Sequence, residues 1–128
     1  MKISFNSPLV LTFIAISCLE LALSKVTNGL IDSYFISPSV FNFLSLSNWT
    51  GSILHIFGHA NFQHLSGNMI FILLLGPILE EKYGSGSLLL MIIVTAILTS
   101  LINAVLFGGG IIGASGIVFL MIVLSSFT

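Results

Sequence analysis

A serine set among small residues, with histidines and asparagines upstream of it, carries the chemistry this chain could do. The serine is Ser115, in Gly113-Ala114-Ser115-Gly116; upstream stand His55, His59, His64 and Asn68, with Asn103 between. Glycines flanking a serine at a helix start let another backbone approach closely and leave the hydroxyl uncovered. The first N–H groups of a helix have no intrahelical acceptor and carry the positive end of its dipole. Such a place favours the negative charge that develops on oxygen during acyl transfer. His64 and Asn68, four residues apart, share one helical face and offer two further donors. A second reading stays open, in which the small residues around Ser115 only pack helices together.

His55 and His59 have the i, i+4 spacing of a metal pair, and His64 could join them. No Glu follows His55, as the metalloprotease motif requires, and no carboxylate completes a ligand set. No metal and no cofactor is therefore expected. His55 and His59 are read as interfacial side chains hydrogen-bonded to their loop, and Asn103 as an interhelical hydrogen bond. Glu20 is read as approaching the outer interface, and Glu80 as a local cap or a partner of Lys82.

The elements that must position these residues follow from composition. Of 128 residues, 56 % are hydrophobic and 5 % charged, with three Lys+Arg against four Asp+Glu. Mean hydropathy is +1.18. So few charges cannot cover a water-soluble globule of this length. A nucleic-acid partner is excluded as well, since phosphate recognition needs clustered Lys and Arg. The single cysteine, Cys18, forbids an internal disulfide. In hydrocarbon every backbone polar group is paired internally, so long apolar runs are read as helices of roughly 20 residues. Four are expected, over about 8–24, 64–83, 87–107 and 111–127. Residues 25–54, rich in Ser, Asn and aromatics, are expected to form a loop in the outer interface, where amphipathic rings prefer to sit.

Alternation gives the spans that begin at 64 and 111 the same direction. His64, Asn68 and Ser115, placed one turn into its span, then lie at one depth just below the outer surface. Lys2 and Lys82 fall on one side and Lys25 on the other, so the positive-inside rule puts the N-terminus in the cytoplasm. Lys2, the first run and Ala22-Leu23-Ser24 also resemble a signal peptide. An uncleaved helix is the preferred reading, because three more spans follow. The membrane is expected to be a bacterial plasma membrane.

The pattern His55-x3-His59-x4-His64-x3-Asn68, then Glu80 and Gly84-Ser85-Gly86, then Gly113-Ala114-Ser115-Gly116, resembles the rhomboid intramembrane serine proteases. The resemblance implies a six-helix core, of which four are expected here in an all-α polytopic transmembrane bundle, with residues 1–128 forming a partial rhomboid-like domain. It implies that Ser115 is the nucleophile and that His64 and Asn68 belong to the oxyanion-binding region. The loop before His55 then matches a membrane-embedded hairpin. In that family the base of the Ser–His dyad lies on the sixth helix, whereas all three histidines here precede Ser115. Residues 120–128 also lack the Lys, Arg, Trp or Tyr anchors that usually end a span. The expectation is thus a fragment, inactive alone, of an endopeptidase that cleaves transmembrane protein substrates. The alternative is a non-catalytic rhomboid-like protein that binds transmembrane helices. A channel or transporter ranks third, because its ionisable groups would sit at mid-membrane rather than near one face.

Overall fold

The computed structural model describes residues 6–127, so Lys2, used above for orientation, lies outside the described residues. Those residues form five α-helices: α1 (Pro8–Val26), α2 (Leu46–Leu54), α3 (Phe62–Tyr83), α4 (Ser85–Leu106) and α5 (Ser115–Ser126). A short 3-10 helix, Asp32–Phe35, lies between α1 and α2. No strand occurs among the described residues.

Three of the helices, α1, α3 and α4, are long and apolar enough to cross a membrane. Only 28 % of each of these spans is buried inside the bundle. The rest turns apolar side chains outward, which suits lipid and not water. The protein is an integral membrane protein. Its core follows helical spacing: Leu65, Met69, Ile72, Gly76 and Leu79 on α3, and Leu88, Ile92 and Ala96 on α4. Helix α3 is central, packing on α1, α4 and α5. At Gly76 a Cβ would lie 2.7 Å from Val10 Cγ2, so the glycine lets α1 and α3 close up.

Helices α3 and α4 are joined through Gly84 alone, at φ 85°. At this end Glu80 reaches across to the start of α1. It accepts the Leu9 N–H at 2.8 Å and the Val10 N–H at 3.1 Å, and the Ser85 hydroxyl donates to it at 2.6 Å. Glu80 is therefore a cap for another helix 70 residues away, not a local cap or a partner of Lys82.

At the opposite end the segment 25–54 is more ordered than the expected loop. Ser45 caps α2 by accepting the Asn48 N–H, and the Trp49 indole N–H donates to the Phe43 carbonyl at 2.9 Å. Phe41 stacks edge-on against Trp49 at 5.0 Å. Two glycines, Gly51 and Gly58, let the chain at 35–36 lie directly on them. A Cβ at Gly51 would stand 2.8 Å from the Ile36 carbonyl oxygen, and one at Gly58 2.8 Å from that of Phe35. The last apolar run, expected from 111, is helical only from Ser115. Asn103 does not bridge helices; its amide donates to the Gly109 carbonyl at 2.6 Å and closes the α4–α5 loop.

Candidate functional site

Ser115 is the first residue of α5, a turn earlier than its expected position in the helix. It is exposed, while Gly113 and Ala114 before it are buried. No side chain caps this helix, and the first N–H bonded back along the chain is that of Val118, to Ala114 at 2.9 Å. The N–H groups of Ser115, Gly116 and Ile117 thus stand at an open helix start. A cavity of about 150 Å³ opens beside them, lined by Ser115, Gly116, Ile117, His55 and Thr99 among others.

The chain entering α5 is held on two sides. Ile111 exchanges hydrogen bonds with Ser37: the Ser37 N–H reaches the Ile111 carbonyl at 3.0 Å, and the Ile111 N–H reaches Ser37 Oγ at 2.9 Å. The Gly113 N–H then donates to the His55 carbonyl at 2.8 Å. Gly113 has φ 113°, a conformation side chains rarely adopt. A Cβ there would lie 2.9 Å from His64 Cε1 and 3.8 Å from Asn68 Nδ2. His64 and Asn68 therefore flank Gly113 from one face of α3, two residues before Ser115.

His59 ties the group together, a part that spacing did not assign to it. Its Nε2 takes the Ala114 N–H at 3.3 Å and the Asn68 amide at 3.1 Å. Since a backbone N–H can only donate, Nε2 carries no proton and the ring is held as the Nδ1–H tautomer. That Nδ1–H donates to the Phe57 carbonyl at 3.1 Å. The His59 and His64 rings meet edge to face at 5.2 Å. Burial pushes the His59 pKa below its ordinary value, and His64 nearby adds to the shift. His55 is also shifted down by burial, and its Nδ1 is bonded to the Gly51 carbonyl at 3.3 Å.

His55 and His59 are both buried, and each bonds a carbonyl of its own stretch, as expected of side chains satisfied by their loop. Their i, i+4 spacing is not helical, because α2 ends at Leu54. Glu20, near the C-terminal end of α1, is buried, with Oε2 lacking a hydrogen-bond partner among the described residues. Asn68 gives one amide N–H to His59, which leaves its second for the space near Gly113.

No curated protein matches the chain. A family model described as the Rhomboid domain matches residues 46–128, which takes in α2 to α5 with His55, His59, His64, Asn68 and Ser115. An all-helical membrane bundle carrying that domain over most of its length belongs to the rhomboid family, whose type is the intramembrane protease.

Proposed function

We propose that Ser115 is the nucleophile of an intramembrane serine endopeptidase that cleaves transmembrane protein substrates. Its Oγ attacks the scissile carbonyl carbon while a histidine outside these 128 residues takes the proton. The oxyanion forms against the Ser115 N–H, the second Asn68 amide N–H and His64. The proton returns to the leaving amine, an acyl-serine remains, and water releases it. This reading keeps the N-terminus cytoplasmic in a bacterial plasma membrane, with Ser115 near the outer face.

One observation carries the proposal: an exposed serine at an uncapped helix start, beside a cavity, two residues after a glycine that His64 and Asn68 flank. An uncovered hydroxyl next to free N–H groups is what acyl transfer uses and what simple helix packing does not need. His59 is not available as a base, because both ring nitrogens are engaged. A serine hydroxyl without a base is a weak nucleophile, so the 128 residues alone are inactive in this reading.

The test is cleavage of a transmembrane substrate by the full-length protein in proteoliposomes. Ser115→Ala should reduce turnover to background, and the wild type should take up a fluorophosphonate probe on Ser115 alone. Cleavage that survives Ser115→Ala refutes the assignment. No cleavage and no probe uptake by the wild type would instead leave the non-catalytic, helix-binding alternative in front.

A further inference from the structure

We propose that His59 is a positioning residue for the reaction: its tautomer sets which way the Asn68 amide faces, and it anchors the backbone that leads to the Ser115 N–H. This inference rests on the peptidase reading, in which Asn68, His64 and the Ser115 N–H receive the oxyanion. All three are held through this one ring. Its Nε2 takes the Asn68 amide at 3.1 Å and the Ala114 N–H at 3.3 Å, and the His64 ring packs edge to face on it at 5.2 Å. The Ala114 N–H lies one peptide unit before the Ser115 N–H, so its anchoring limits how the latter can swing.

The polarity of these bonds follows from groups that have no choice. The Phe57 carbonyl can only accept, so Nδ1, 3.1 Å away, carries the proton. The Ala114 N–H can only donate, so Nε2 is bare. A side-chain amide does have a choice, since it can turn either its oxygen or its NH₂ to a neighbour. A bare Nε2 repels the oxygen and accepts the NH₂. One N–H of Asn68 is thereby given to His59, and the other is free to meet an oxyanion. With the proton on Nε2 instead, the amide would turn over and set an oxygen lone pair where that second N–H stood. The tautomer of His59 therefore decides whether Asn68 faces the site as a donor or as an acceptor.

The ring is itself clamped. His59 is 5 % exposed, and its backbone N–H bonds the Glu20 carboxyl of α1. Burial keeps its pKa below the ordinary value, so the bare nitrogen persists at neutral pH. Glutamine at this position would place an amide oxygen close to where Nε2 stands, with lone pairs for both bonds. Asparagine is one carbon shorter and falls short of them.

The experiment measures cleavage of a transmembrane substrate by the full-length protein in proteoliposomes, for the wild type, His59→Gln, His59→Asn and Asn68→Ala. His59→Asn should lower kcat about 10²-fold with KM near the wild-type value, because a misplaced donor costs on that order in the transition state and little in binding. His59→Gln should recover at least about tenfold of that loss. Added to Asn68→Ala, His59→Asn should cost less than it does alone, because part of its effect runs through Asn68. Histidine ¹⁵N NMR of the wild type, assigned through bonds, should show His59 with a protonated Nδ1 and a bare Nε2. Equal kcat in the wild type and His59→Asn overturns the proposal, as do equal losses in the Gln and Asn variants or full additivity with Asn68→Ala. A proton on Nε2 overturns it whether or not the variants fold. A wild type that neither cleaves nor takes up a fluorophosphonate on Ser115 overturns the peptidase reading and this inference with it. A wild type that cleaves, with His59→Asn cleaving equally well, overturns this inference alone.

Discussion

Replacing Glu80 by Gln should loosen the bundle at the start of α1, while the same change at Glu81 should do almost nothing. Helix α1 opens without an acidic residue in its first turn and without a side-chain bond from Ser7. Its first N–H groups can be followed one by one. Pro8 has none, Leu9 and Val10 donate to Glu80, and Leu11 donates to the Ser7 carbonyl at 3.0 Å. The end is fully satisfied, and two of its bonds depend on a carboxylate that is 4 % exposed. Glutamine keeps one oxygen and sets an NH₂ where the other accepted a backbone N–H. The change removes one charge-assisted bond, about 1.5–3 kcal/mol, and leaves a buried donor unmet, about 1–3 kcal/mol. A loss of about 2.5–6 kcal/mol follows from those ranges. Glu81 is exposed, and its substitution should stay within about 0.5 kcal/mol. Unfolding by denaturing detergent in mixed micelles, followed by circular dichroism, measures both. Hydrogen exchange at Leu9 and Val10 adds a local readout, protected in the wild type and open in Glu80→Gln. Equal stability of the two variants, or unchanged protection at those amides, would refute the capping argument.

Three further outcomes are expected. Gly113→Ala forces a side chain onto φ 113° with its Cβ 2.9 Å from His64, so it should cost about 1–3 kcal/mol and shift the His64 ring signals in NMR; unaltered signals would contradict the geometry. His59 and His55 are held neutral by burial, with folded pKa values below the ordinary 6.5. Their contribution is complete above pH 6.5 and is lost as the pH falls through the lowered values, because the unfolded chain takes up protons first. Stability that stays flat from pH 8 to about 5 would count against that environment. Asn68→Ala in the full-length protein should lower kcat by about 10²–10³, less than Ser115→Ala does; unchanged kcat would remove Asn68 from the oxyanion group.

How much of this was legible in the sequence depended on the range of each interaction. Helices α1, α3 and α4 could be read because an apolar run of about 20 residues has few other solutions in a membrane. Helix α2 was not, since Ser, Asn, Thr and Gly make up five of its nine residues and its order comes from tertiary contacts. Those contacts are the Ser45 cap, the Trp49 bond to Phe43 and the backbone of Ile36 lying on Gly51. His64 and Asn68 could be placed on one face by i, i+4 spacing. The bond of His59 to Asn68 spans a turn, and its bond to Ala114 spans 55 residues, so no local pattern announces either. Glu20 and Glu80 could be flagged as costly in a membrane, but their surroundings were hidden. One caps a helix start far along the chain, and the other faces a second carboxylate across a cavity. Asn103 shows the opposite error: a polar residue in a span was read as long-range when its partner was six residues away.

The polar side chains at the two ends of the bundle perform different tasks. At the α3–α4 turn Glu80 fastens helix to helix, and this bond sets how α1 leans on α3 where Val10 meets Gly76. At the other end the bonds fasten loop to loop, Ser37 with Ile111, His55 with Gly113 and His59 with Ala114, and His59 also ties its turn to Asn68 on α3. Inside the spans Ser17 and Ser100 are buried with no hydrogen-bond partner among the described residues, so shape rather than polar contacts holds the helices there. Packing of that kind tolerates small sliding of apolar helices in lipid. The entrance to α5 does not depend on it. Its backbone is tied to residues 37 and 55 through bonds that a shift of the spans would have to break, and glycines at 51, 58 and 110 let those segments touch directly. Ser115 therefore inherits its position from the loops, and the variants that should move it most are those at Gly58 and Gly110, not those on the lipid-facing helix surfaces.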